Sequence, residues 1–131
     1  MVTENDSLET IREHFTHDQY ATRAQCSIIE GRAGYAVCEM PITPDNANGT
    51  VMGGAMFTLA DFAMAVAANL DEKPTVAINC NIRFFSPAKG TKLIATCEAD
   101  KAGRRIGFYT VDIKDDLGTY VAQFNATAHR S

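Results

Sequence analysis

Between Asp45 and Asp71 the chain carries a single ionisable side chain, Asp61, in the middle of an Ala-, Met- and Phe-rich run. Wound at 3.6 residues per turn, this run places apolar residues on nearly every face, the pattern of a helix buried all round. Gly53-Gly54 stands where the helix begins, after a polar, turn-making lead-in of Asn46, Asn48, Gly49 and Thr50. Upstream, Leu8, Ile11 and Phe15 share one face of a short amphipathic helix within a helical segment over 1–20. Asp6 precedes that helix, with Glu9 at the capping-box offset. Strand-like runs at 24–30 and 35–40 follow, separated by a turn with glycines at 31 and 34. Beyond Lys73-Pro74 the period drops to two, which predicts that Val76, Ile78, Cys80, Ile82 and Phe84 line one face of a long strand ending at Ser86-Pro87. Leu93, Ala95, Cys97 and Ala99 mark the next strand, and turns at 102–103 and 115–118 set off two more at 106–114 and 119–129. The expected fold is α+β: an antiparallel sheet of five or six strands wrapped around one long central helix, in a single domain over 1–131.

Composition narrows the function classes. With 131 residues, 46% hydrophobic and 21% charged, the chain suits one globular domain with a real core. A net charge of −4 argues against nucleic acid as a bulk electrostatic partner. The apolar run carries an acid at its centre and is a poor membrane span, and the polar N-terminus lacks a signal-peptide core. Cysteines 26, 38, 80 and 97 form no C-x-x-C pair and sit in apolar, strand-like settings, so they read as reduced packing residues of a cytoplasmic protein.

The candidate chemistry lies around the central helix. A carboxylate in an apolar setting is costly to ionise, so Asp61 is either a satisfied structural group or a catalytic one. Free N–H groups at a helix start, with no Cβ to obstruct approach, suit a developing negative charge; the alternative role of Gly53-Gly54 is close packing on the sheet. An acid and a backbone oxyanion site together suffice for acyl transfer to water. Gly53 and Asp61 are eight positions apart, about 12 Å along one helix, too far for one carbonyl group to touch both. If both are catalytic, two antiparallel copies of the helix must share their sites in a homodimer.

The pattern Asn46, Gly49, Met52-Gly53-Gly54 and Leu59-Ala60-Asp61 resembles the signature of the hotdog-fold thioesterases of the phenylacetate-pathway type, acyl-coenzyme A hydrolases. The strand 78–88, with Asn, aromatic and Pro at matching places, and the Gly-basic turn 101–105 are similar as well. The likeness runs from about Thr22 to Arg130. It implies that Asp61 acts as nucleophile or general base, that the Gly53 N–H polarises the thioester oxygen, and that Asn46 positions water or thioester. Met52, Gly54 and Ala77 would then line the substrate, with Lys101, Arg104 and Arg105 on the coenzyme A phosphates. It further implies a dimer that pairs into a tetramer, and no cofactor apart from the coenzyme A of the substrate.

Two positions depart from that family. Met52 stands where the family has His, and Ala77 where some members place a Ser or Thr to hold water, a role left open for Thr58 or Thr75. Other catalytic kits fit worse: no His lies in the central segment, His14 and His17 lack further ligands for a metal, and no nucleophile elbow, P-loop or dinucleotide fingerprint occurs. The alternative from another class is an acyl-CoA-binding protein that lost turnover with the histidine.

Overall fold

The computed structural model describes residues 1–131. Two short helices, α1 (Leu8–Phe15) and α2 (Gln19–Arg23), lead into β1 (Ser27–Arg32) and β2 (Tyr35–Pro41). A small hairpin, β3 (Ala47–Asn48) and β4 (Thr50–Val51), precedes α3 (Gly53–Ala68). Four long strands follow: β5 (Thr75–Phe84), β6 (Lys92–Ala102), β7 (Ile106–Asp115) and β8 (Tyr120–Arg130). Helix α1 is capped by Ser7, whose hydroxyl accepts the Thr10 N–H; Asp6, expected to introduce the helix, instead accepts the Thr3 N–H. Residues 24–26, expected in the first strand, belong to the turn after α2, where Gln25 has φ 66°.

The long strands form one antiparallel sheet in the order β1-β2-β6-β7-β8-β5, wrapped around α3 as the patterning predicts. Its inner face carries Ala36, Cys38 and Met40 from β2, Leu93, Ala95 and Cys97 from β6, Tyr109, Val111 and Ile113 from β7, and Phe124, Ala126 and Ala128 from β8, all buried. Against them α3 lays Leu59, Ala60, Ala63 and Ala67. The small alanines let helix and sheet approach closely, and this burial supplies most of the hydrophobic stabilisation.

Two expectations change in the folded chain. Helix α3 is not buried all round: Gly54, Thr58, Asp61 and Ala65, at one-turn spacing, form a stripe that the sheet leaves at least partly open, with Gly54 and Asp61 exposed. Nor do the apolar residues of β5 share one face. A bulge between Ala77 and Asn79 shifts the register, so Ala77, Cys80 and Ile82 pack toward the core while Val76 and Ile78 are 63% and 59% exposed. An inserted residue reverses the alternation beyond it.

Two polar knots close the ends of the sheet. Buried Arg130 pairs with Asp71 and donates to the Tyr109 hydroxyl at 2.9 Å and the Gly103 carbonyl at 2.9 Å. Asp115 accepts the N–H groups of Lys89, Gly90, Leu117 and Thr119 at 2.7–3.0 Å, tying the β5–β6 loop to the β7–β8 turn. Burial acts to raise the Asp115 carboxyl pKa, but these donors outweigh it and hold the group well below the usual carboxylate range. A depressed folded pKa gives stability that is present above the unfolded value, near ~3.9, and lost as pH falls through the folded value. Asp115→Ala leaves four N–H groups without that acceptor and is expected to lower Tm by about 5–10 °C at neutral pH, with a smaller deficit in strong acid, by thermal unfolding.

Candidate active site

The start of α3 offers two unused donors. Met52 is the N-cap residue and its carbonyl accepts the N–H groups of Ala55 and Met56 at 3.0 and 3.3 Å; the N–H groups of Gly53 and Gly54 find no acceptor in the chain. They lie at the positive end of a 16-residue helix dipole. The lead-in is held rigidly. Asn46 donates from Nδ2 to the Pro41 carbonyl at 2.8 Å, accepts the Thr43 N–H on Oδ1 at 3.0 Å, and takes the Met52 N–H on its backbone carbonyl at 2.8 Å. One N–H and one lone pair of the Asn46 amide remain free for another partner. Met52 is 69% exposed and folds back over Gly54, where an added Cβ would meet its Cε at 3.3 Å.

Asp61 lies two turns further on the open stripe, about 12 Å along the axis from Gly53, so one chain does not bring acid and donor together. Partial burial raises its carboxyl pKa above the ordinary value, and the Asp18 carboxylate adds to the rise. No cation counters them: the ion pairs of the chain are Arg32–Glu30, Lys92–Glu39 and Arg130–Asp71.

Strand β5 runs back alongside α3 and sets the neighbours of both groups. Thr75 meets Asn69 at the far end, Cys80 lies within the field of the Asp61 charge, and Phe84 reaches Gly53. The strand residue at the level of Asp61 in the same chain is therefore Cys80, with Ala77 further toward the C-terminal end of the helix. Both alternative hydroxyls already donate their proton within the chain, Thr58 Oγ1 to the Gly54 carbonyl at 2.9 Å and Thr75 Oγ1 to the Lys73 carbonyl at 2.7 Å, which leaves each only acceptor lone pairs for water.

Lys101, Arg104 and Arg105 are exposed at the β6–β7 turn and make no ion pair. That turn sits at the opposite end of the molecule from Gly53. Lys73, just past α3, donates to the Arg104 carbonyl, and the Arg130 N–H donates to that of Arg105 at 2.7 Å. The whole length of α3, about 22 Å, separates the basic turn from the free glycine donors of the same chain.

Two cavities flank the helix start. One of ≈ 220 Å³ lies toward α2, with Arg23, Asp45 and Asn46 among its walls beside Met40 and Met52. The other, of ≈ 430 Å³, is bounded by Val51, Gly53, Met56, Phe84, Phe85 and Pro87. None of the four cysteines is bridged; burial pushes the Cys26 and Cys97 thiols up to about 12 and Cys38 higher still, so they stay protonated and unreactive at neutral pH. No group of three or more His, Cys, Asp or Glu side chains is assembled to hold a metal ion, and no helix is long and apolar enough to cross a membrane.

The family model of the thioesterase superfamily matches residues 48–122, from the lead-in of α3 into β8. The chain belongs to the thioesterase superfamily. It is 34% identical over 119 residues to the acyl-coenzyme A thioesterase PaaI of Escherichia coli, covering 88% of this chain and 85% of that protein. To the human acyl-coenzyme A thioesterase 13 it is 31% identical over 109 residues, covering 79% and 78%. The solved structure of the E. coli PaaI protein from the phenylacetic acid degradation operon superposes with a TM-score of 0.82 at 32% identity, over 95% of this chain and 96% of that one. The sheet and central helix are thus those of a PaaI-like hotdog thioesterase, and these relatives are acyl-coenzyme A thioesterases, which makes the chain a thioester hydrolase.

Sequence reasoning missed three neighbours of the site: Phe84 against Gly53, Cys80 within the Asp61 field, and Asp18, whose carboxylate acts on Asp61. A signal existed for the first two, since a strand that follows a helix after a short turn runs back along it. At ~3.3 Å per strand residue against 1.5 Å per helix residue, four positions of β5 span about what eight of α3 do.

Proposed function

We propose that this thioesterase hydrolyses acyl-coenzyme A to a carboxylic acid and free coenzyme A, at sites shared between two antiparallel chains. The observation that carries this reading is the pair of unsatisfied Gly53 and Gly54 N–H groups at the start of α3, together with an unpaired Asp61 on the open stripe of the same helix. In a two-fold arrangement, the Gly53 donor of one chain comes opposite Asp61 of the other. The basic turn then lies on the Asp61 side, beyond the thioester, where Lys101, Arg104 and Arg105 meet the coenzyme A phosphates. The unpaired edge of β5, with Val76 and Ile78 exposed, suits pairing with a second β5, and dimers pair further into a tetramer.

In the reaction the thioester oxygen lies on the Gly53 N–H, with Gly54 and Met52 beside it and Ala77 on the strand side. The Asn46 amide, already fixed by its loop, directs its free N–H or lone pair to water or thioester. Asp61 either takes a proton from water, which attacks the carbonyl carbon, or attacks that carbon itself to give an anhydride that water opens. In both routes negative charge builds on the carbonyl oxygen, the glycine donors hold it, and the coenzyme A thiolate leaves and takes up a proton. This chemistry asks for no cofactor beyond the coenzyme A of the substrate, and the four free thiols suit a cytoplasmic location.

The test is a panel of acyl-coenzyme A thioesters with release of free thiol as the readout. Hydrolysis supports the enzyme; binding of every thioester without release overturns it in favour of a non-catalytic binding protein, the reading that Met52 in place of His favours. Single turnover in ¹⁸O-water tests the nucleophilic role of Asp61, because label enters its carboxylate only when water opens an anhydride at the Asp61 carbonyl.

Met52 also provides a gain-of-function prediction. Its exposed side chain lies over Gly54, so a histidine there has room beside the thioester. Met52→His is expected to raise kcat/KM roughly threefold to tenfold, the worth of one added hydrogen bond. No change at equal stability would mean that the pocket has adapted to methionine.

A further inference from the structure

Gly53 is glycine for a reason that its backbone does not supply. Its φ is not among the positive values of the chain, which belong to Gly34, Gly49 and Gly118 among the glycines. A Cβ at position 53 would instead lie 2.9 Å from Cζ of Phe84 and 3.4 and 3.5 Å from Cε1 and Cε2. All three atoms belong to the far edge of one ring, so Phe84 points end-on at the helix start. Within the single chain the residue is 53% exposed, at the end of an edge strand. The same ring forms part of the wall of the ≈ 430 Å³ cavity, whose other residues include Val51, Met56, Phe85 and Pro87.

The two cavities beside the free glycine donors differ in their charged groups. The smaller one presents the charged groups of Arg23 and Asp45 and the Asn46 amide and suits the polar pantetheine arm; the larger has no charged residue in its wall, where Val51, Met56, Phe84, Phe85 and Pro87 suit a hydrocarbon tail. Given the thioesterase reading, on which this rests, we propose that Phe84 determines which acyl chains the enzyme accepts. With the thioester oxygen on the Gly53 N–H, the tail enters the apolar cavity past the Phe84 ring. The ring limits the length that lies in contact with the wall. Phe84 takes no part in the chemistry; it sets specificity.

The experiment measures kcat/KM for straight-chain acyl-coenzyme A thioesters in steps of two carbons, for the parent, Phe84→Leu, Phe84→Ala and Phe84→Trp. In the parent each methylene that reaches the wall contributes roughly fourfold, until the tail meets the ring and the profile turns over. Phe84→Ala is expected to move the turning point to longer chains by about four methylenes, the reach of the lost ring, with a gain of at least about tenfold for the first substrate beyond the parent optimum. Phe84→Leu should shift it less, and Phe84→Trp to shorter chains, so the trend stays readable if the alanine variant folds poorly. Profiles that are scaled up or down without moving would overturn the proposal while leaving the thioesterase intact. A parent that hydrolyses no member of the series overturns the thioesterase reading, and the role of Phe84 with it.

Discussion

Asp61→Asn is expected to cut kcat by at least ~100-fold, the loss that follows removal of a positioned base or nucleophile. Asparagine is nearly isosteric but takes up no proton at neutral pH and attacks no thioester. Because Asp61 lies on the open stripe of α3 and pairs with nothing, the change removes no ion pair, and Tm should stay within a few degrees of the parent. The pH profile adds a second readout. Burial first, and the Asp18 charge second, raise the Asp61 carboxyl, and a partner chain laid over the stripe removes more water and raises it further. A protonated carboxyl neither attacks nor accepts, so activity should fall on the acid side at a pH above the ordinary carboxylate range near ~3.9. Asp18→Asn should move that limb to lower pH. A variant Asp61→Asn that works at the parent rate would remove this residue from the mechanism.

The second large effect is recovery of activity from two inactive proteins. Gly53→Val puts a branched side chain into the Phe84 ring and beside the donor N–H, where even a single Cβ already lies at 2.9 Å. It should abolish turnover, as Asp61→Asn does. If acid and donor meet only across a two-fold axis, each hybrid dimer holds one site with both groups intact and one with neither. Mixed variants should then regain up to about half the parent activity per hybrid dimer, from a background near zero. Subunit exchange is followed with a tag on one variant, and thermal unfolding shows that the valine chain is folded. Exchange without recovered activity would place both groups of each site in one chain, against the separation of about 12 Å along α3.

Much of this protein was legible in its sequence, because local periodicity and composition encode it. The apolar run from Val51 to Leu70, the glycines at its head and the alternation in the later strands determined one central helix, four long strands joined in antiparallel order and the position of Gly53 at the helix start. The eight-residue spacing to Asp61 likewise told, before any coordinates, that one chain would not bring acid and donor together. What the tertiary structure decided depends on contacts remote in sequence. Periodicity says which residues are apolar but not what covers them, so α3 read as buried all round although its own sheet leaves the Gly54–Asp61 stripe at least partly open. Alternation assigns a face only while the register holds, and the bulge at Ala77/Asn79 turns Val76 and Ile78 outward at the open edge. The Arg130–Asp71 pair and the donors gathered by Asp115 join residues far apart in the chain, and no local pattern announces them. Phe84 against Gly53 is of the same kind. A glycine tells that space is needed, and only the folded chain shows which side chain takes it.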